Sequence, residues 1–385
     1  MLGKKRILSL ISLTFLCLFS ASCSNSIKND TDNVDKNTVK DSISQKTLDF
    51  REEPSDTLLK DSLELTYPDG ILFTPTKMNN TFVIGESSQE DSPDQKYLGI
   101  LNIDTKEFKK LKDVERTLDI VSIIINYADS DFILFEEFDQ VNLQSTYYLW
   151  DISSSTYQLL KHISDVVPVH YTQVTRDEND IYMNIYSGNI YQTYCYSISN
   201  KEMSLFESRN SANPVAVDDK IFYITIDNEN LKTSLMCFDS ENDTYQTLDN
   251  TTQGSEYYNG LYTNGKDVIV SKNISGETQL SMMDDNKVET SFFSSNWIET
   301  LEYQDNYISY IGEKRDEERI KPQYYLMDIE NKIDYIYDDG IILLSERGIL
   351  WVDFKKEESK IEKGQVFTND NSVMKFYQFD LEGSQ

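Results

Sequence analysis

Short apolar runs alternate with polar clusters along nearly the whole chain. The segment Tyr324-Tyr-Leu-Met-Asp-Ile-Glu-Asn-Lys-Ile-Asp-Tyr-Ile-Tyr337 shows the unit: an apolar and aromatic run, a small polar residue, a polar turn and a second apolar run. The runs are about five to eight residues long and rich in Ile, Val, Tyr and Phe, which is strand chemistry rather than the longer 3.6-residue periodicity of a helix. The same pattern occurs at Tyr97–Asp104, Tyr147–Asp151, Tyr194–Ser197, Leu235–Asp239, Leu280–Asp284, Tyr325–Asp328 and Phe376–Asp380. Its polar markers are spaced 47, 46, 42, 45, 44 and 52 residues apart. A fixed period of about 45 residues filled by four short strands is one blade of a β-propeller.

The expected fold is therefore all-β: a β-propeller of seven four-stranded blades, with a six-bladed or incomplete ring as the alternative. The blades are predicted at residues 71–113, 121–163, 171–208, 213–250, 257–293, 298–339 and 340–385. The last has a long polar interruption at 355–371, and only Leu381–Gln385 follow its marker, so it lacks a fourth strand. Leu63, Leu65 and Tyr67 alternate with polar residues as in a strand. A strand within residues 57–66 is predicted to complete the last blade and close the ring, removing two exposed sheet edges. The marker Asp residues are expected to close turns by accepting backbone amides. The connections at Gly85–Lys96, Glu137–Ser145, Gly312–Gln323 and Lys355–Asn371 are predicted to be long loops between second and third strands, all on one face of the ring.

The N-terminus changes the picture from fold to address. Lys4-Lys5-Arg6 precede an apolar run, Ile7–Phe19, too short for an ordinary membrane span, and Ser20-Ala21-Ser22 lead to Cys23. This is the layout of a secretory signal. The cysteine directly after small residues resembles a bacterial lipoprotein signal, with Ser20 standing where the usual Leu would be. The resemblance implies lipid modification at Cys23, a signal peptide over residues 1–22 and a location on the outer face of the cytoplasmic membrane or the cell surface. Residues 23–56 are poor in apolar side chains and are expected to be a disordered tether, with the propeller domain at 57–385. A flexible coil of that length spans roughly 30 Å.

The net charge is −30, which disfavours nucleic acid and anionic lipid as partners. Cys195 and Cys237 sit at equivalent places in adjacent blades, too far apart for a disulfide, and read as small buried apolar residues. His162 and His170 have no accompanying metal-ligand cluster or nucleophile signature. The acidic turns at Asp177–Asp180, Asp227–Asn230, Asp239–Asp243 and Asp284-Asp285 read as solvated turns, with a weak calcium site the minor alternative. No cofactor is expected, and no catalytic or metal-binding residue is assigned. The 25 tyrosines fit blade packing better than a sugar-stacking surface.

The apolar-Asp hairpins resemble those of bacterial extracytoplasmic propellers in the broad TolB-like and quinoprotein-like sense, over about residues 71–385. The resemblance implies a fold and a face for partners, and fold does not settle function. The expected function is a membrane-anchored binding or scaffold protein, not an enzyme, that takes a protein or glycan on its loop-rich face. Alternatives are a propeller hydrolase or lyase acting on a polysaccharide or lactone, and an accessory or sensor subunit of a membrane complex. If the channel mouth binds a ligand, Tyr171, Gln173, Tyr258, Trp297 and Glu299 are the predicted contacts.

Overall fold

A computed structural model describes residues 50–114, 121–164, 166, 172–187, 190–251, 255–295, 298–316, 319–337, 340–354 and 372–379. Its strands form seven antiparallel four-stranded units, six of them built in chain order from the centre outward. The inner strands are Ile71–Met78, Val121–Ala128, Val174–Arg176, Ser211–Val217, Glu256–Thr263, Ile298–Gln304 and Gly340–Ser345. The seven units are the blades of a closed propeller. Seven apolar clusters fill its seams, one between each pair of neighbours, and the last joins blade 7 to blade 1. Tyrosines take part as packing residues: Tyr147, Tyr223 and Tyr337 are among the largest fully buried side chains.

The ring closes as expected. Blade 7 supplies three strands, Gly340–Ser345, Gly348–Phe354 and Ser372–Gln378. Leu63–Leu65 is the fourth, antiparallel to the third, with Leu63 opposite Phe376 and Leu65 opposite Met374. One strand was not foreseen. Arg51–Pro54 pairs in parallel with Ile333–Tyr337 and gives blade 6 a fifth, outermost strand. The described tail of the segment assigned to the tether is therefore part of the sheet. Its sequence, Arg-Glu-Glu-Pro, offers no apolar alternation to read, because an outermost strand is held by backbone pairing at an edge rather than by core burial.

Together residues 50–65 make a belt. Phe50 packs on the seam between blades 5 and 6, Leu58 and Leu59 on that between blades 6 and 7, and Leu65 on that between blades 7 and 1.

Three of the marker turns bear out the Asx reading, and a fourth does so with a change of residue. Asp151, Asp239 and Asp328 accept amides from Ser154, Asn242 and Asn331 at 2.9–3.0 Å. In blade 1 the acceptor is Asn102, two residues before Asp104. These bonds hold the Asp239 carboxyl below the usual carboxylate range, chiefly through the Asn242 side chain.

The predicted long loops are a correction. Phe82–Gln89 and Ser92–Asn102 run through the first, leaving Glu90-Asp91 as the turn. In blade 2 only residues 140–143 connect the strands, and in blade 6 the ladder continues to Asp316 opposite Arg319. Extended hairpins that project past the packed seams lose the need for an apolar face, so their sequence looks like loop. The fourth segment, 355–371, lies outside the described residues.

Candidate central chamber

Two features position the site: the inner strands, and a bulge that recurs in them. An inner strand packs on two neighbours and turns one edge to the ring axis. The pairing register slips between Pro75 and Lys77, Ile125 and Tyr127, Ala212 and Val215, Tyr258 and Gly260, and Glu299 and Glu302. A bulge leaves one residue out of the ladder and re-aims its side chain. The residues in those slips include Thr76, Asn126, Asn213, Asn259 and Thr300, all polar. Gln173 holds the corresponding place in blade 3, directly before Val174, which pairs with Met183. Asn213 and Thr300 have φ values of 55° and 50°, the left-handed region that Asn tolerates better than most residues.

All seven inner strands line a chamber of about 200 Å³, and Asn126 is the one of these bulge residues that lines it. It lies at their C-terminal ends, near Lys77, Tyr127, Gln173, Thr263, Glu302 and Leu344. That is the side of the turns between first and second strands, opposite to the projecting hairpins. Polar groups span it. Lys77 of blade 1 forms an ion pair with Glu302 of blade 6. The Gln173 amide of blade 3 donates to the Leu261 carbonyl of blade 5 at 2.6 Å, while the Asn213 amide, not among the lining residues, donates to the Asn259 carbonyl of the neighbouring blade at 3.0 Å. Atoms of Thr76, Asn126 and Gln173 are buried without a protein partner. A polar chamber of this size has room for several waters bonded to such atoms.

Below the chamber, turn residues tie blade to blade. The Asn79 amide donates to the Asp129 carbonyl at 2.6 Å. Arg176 donates to Asp129 at 2.7 Å and Asp131 at 2.8 Å, while the Tyr127 hydroxyl donates to Asp129 at 2.8 Å. Burial, then the Asp129 charge, push that hydroxyl far above the ordinary tyrosine range. Arg347 clamps Asp104 across the closing seam at 2.5 and 2.8 Å.

Of the five predicted contacts, Gln173 lines the chamber. Tyr258 is buried in the seam between blades 4 and 5, its hydroxyl bonded to Asp249 and its amide to the Thr233 hydroxyl. Glu299 is half-buried and immediately precedes the bulge at Thr300. Tyr171 and Trp297 lie outside the described residues, as do Cys23 and His170. The bulge residues Asn126, Asn213 and Asn259 were missed. The signal was a polar residue two to four places before the end of each inner run.

Other candidate groups have structural partners. His162 shares a hydrogen bond with Thr146 at 3.0 Å near the rim. Cys195 and Cys237 are free thiols, and burial, followed by the Asp180 charge, pushes Cys195 up to about 12, which makes it a poor nucleophile. In the acidic turns, Asp177 accepts the amides of Asn179 and Asp180, and Asp227 those of Glu229 and Asn230.

No protein-family model matches the chain, and no curated protein matches it in sequence. Solved structures do resemble it. An oligogalacturonate lyase in complex with manganese superposes with a TM-score of 0.51 at 10% identity, over 83% of this chain and 93% of that one. The β-propeller domain of the Trilobed protease from Pyrococcus furiosus gives 0.50 at 11% identity, over 74% and 90%. TolB from Acinetobacter baumannii gives 0.44 at 13% identity, over 64% of this chain and 60% of its own length. At such identities the likeness is one of fold alone, and it supports a β-propeller scaffold.

Proposed function

We propose that the chain is a membrane-anchored extracytoplasmic scaffold that binds a partner protein on the face of its projecting hairpins. The observation that carries this reading is where the hairpins cluster. The longest paired strands are Ser92–Asn102 in blade 1 and Tyr307–Asp316 with Arg319–Asp328 in blade 6, of 11, 10 and 10 residues. Blades 1 and 6 flank blade 7, so the two hairpins stand on either side of one blade.

The sequence of residues 313–321 reads Glu-Lys-Arg-Asp-Glu-Glu-Arg-Ile-Lys. It mixes both signs on a chain of net charge −30, a composition suited to selecting a protein partner by charge pattern. Lipidation at Cys23 would hold the propeller to the membrane through Phe50, which packs on the seam between blades 5 and 6.

The test combines cross-linking in cells with a shortened hairpin. Residues 313–322 are replaced by Asn-Gly, which favours a tight hairpin turn. The partner captured by the native chain is lost from the variant while the propeller keeps its cooperative unfolding. Equal capture by both would overturn the assignment of this face. Cys23→Ala separately moves the protein out of the membrane fraction if the anchor reading is right.

A further inference from the structure

The belt strand lies over a buried acid that no packing argument requires. Asp334, in the outer strand of blade 6, is 5% exposed. The Tyr310 hydroxyl donates to one of its oxygens at 2.6 Å, and the other oxygen is buried with no partner. Tyr325 stacks on Tyr310 at 4.9 Å, Phe293 of blade 5 meets Tyr310 edge-on at 5.5 Å, and the belt's Phe50 meets Phe293 at 6.1 Å. Directly opposite Asp334 in the parallel register is Glu52 of the belt.

The charged and titratable groups around Asp334 are thus Glu52 from the belt and Tyr310 and Tyr325 from the adjoining strands of its own blade. Blade 5 presents an aromatic ring. The belt's nearby cation, Arg51, is engaged with Glu53 at 2.6 Å.

We propose that Arg51–Pro54 is a pH-gated clasp, held on blade 6 while the Asp334 carboxyl is protonated and loosened when it ionises. The unpartnered oxygen is the place for the proton. In the ionised form the same oxygen would carry charge without solvent, beside the Glu52 carboxylate. Burial first, then the Glu52 charge, push the Asp334 carboxyl up to about 7, against the Tyr310 hydrogen bond.

The direction of the pH effect follows from linkage. The clasped state keeps a proton that an unclasped, hydrated Asp334 would release. Clasping is therefore strongest at acidic pH, weakens as pH rises from the ordinary carboxylate range to about 7, and is level above that. Opening would bare the outer backbone edge of Ile333–Tyr337, which already accepts one extended strand in parallel.

Hydrogen exchange on the full chain tests the clasp. Protection of the Arg51 amide, which donates to the Lys332 carbonyl at 2.9 Å, is measured from pH 5 to 8 and corrected for intrinsic exchange. Protection is expected to fall at least about tenfold, since one unit of pKa displacement corresponds to a factor of ten. Leu63–Leu65, on blade 7, should show no such fall. Asp334→Asn should abolish the pH dependence, and Glu52→Gln, an exposed change that leaves Asp334 in place, should reduce it. A flat profile in the native chain, or an unchanged slope in Glu52→Gln, overturns the proposal.

Discussion

Two seams of the same ring are built differently. Between blades 7 and 1, the buried cluster contains eleven apolar residues, among them Leu65, Phe73, Leu101, Val352, Met374 and Phe376. Between blades 3 and 4, it contains three, Tyr182, Ala216 and Ile221, with Cys195, Phe206 and Phe238 partly buried around them. Hydrogen bonds take over there. The Ala216 amide donates to the Thr175 hydroxyl at 2.9 Å, the Tyr191 amide to the Asn210 side chain at 2.9 Å, and the Thr193 amide to the Ser211 hydroxyl at 3.1 Å.

Covalent continuity does not by itself explain the difference: Ile333–Tyr337 and Gly340–Ser345 are only two residues apart, yet the seam between blades 6 and 7 buries nine apolar residues. Blades 3 and 4 are joined by residues 208–210, so their meeting is local. Leu65 and Met374 meet across about 300 residues, a closure entropy on the order of 5 kcal/mol. The closing seam offsets that cost by apolar burial, while the seam between blades 3 and 4 adds directional polar bonds to its smaller core.

The comparison can be broken with substitutions. Leu65→Ala removes a side chain that is 2% exposed from the closing seam, and should cost about 2–5 kcal/mol in denaturant unfolding. It should also raise exchange along Ser372–Gln378, the strand that Leu63–Leu65 covers. Ser211→Ala at the other seam strips the partner from the buried Thr193 amide and should cost about 1–3 kcal/mol, without opening any blade edge. If the Ser211 variant were the more damaging of the two, the division of labour between the seams would be wrong.

The fold was legible because its grammar is local. Each blade repeats apolar runs closed by Asx turns, and the turn chemistry sets the period. The predicted spans 71–113 and 121–163 coincide with Ile71–Asp113 and Val121–Ile163. The closing strand was legible for a different reason: Leu63 and Leu65 alternate with polar residues opposite a blade one strand short.

The site was less legible, and the register explains why. Tyr258 and Glu299 each stand one residue before a bulge position, at Asn259 and Thr300. A slip of one residue in a strand turns a side chain to the other face. Bulges break the two-residue alternation of the inner strands, so position in the blade register alone does not set which of their residues face the axis. Gln173, which precedes its strand, lines the chamber, on the face opposite the projecting hairpins. The belt strand Arg51–Pro54 was hidden because its partner is a sheet edge and its side chains are mostly exposed.

The account rests most heavily on closure by the N-terminal strand, and a cysteine pair tests it directly. Glu64 and Lys375 face each other across the antiparallel ladder, where Cα atoms lie within disulfide range. In a background with the native cysteines changed to serine, Glu64→Cys combined with Lys375→Cys should oxidise readily to an intramolecular bond and raise the unfolding midpoint. Failure to form that bond, or bonding only between separate molecules, would contradict a ring closed by residues 63–65.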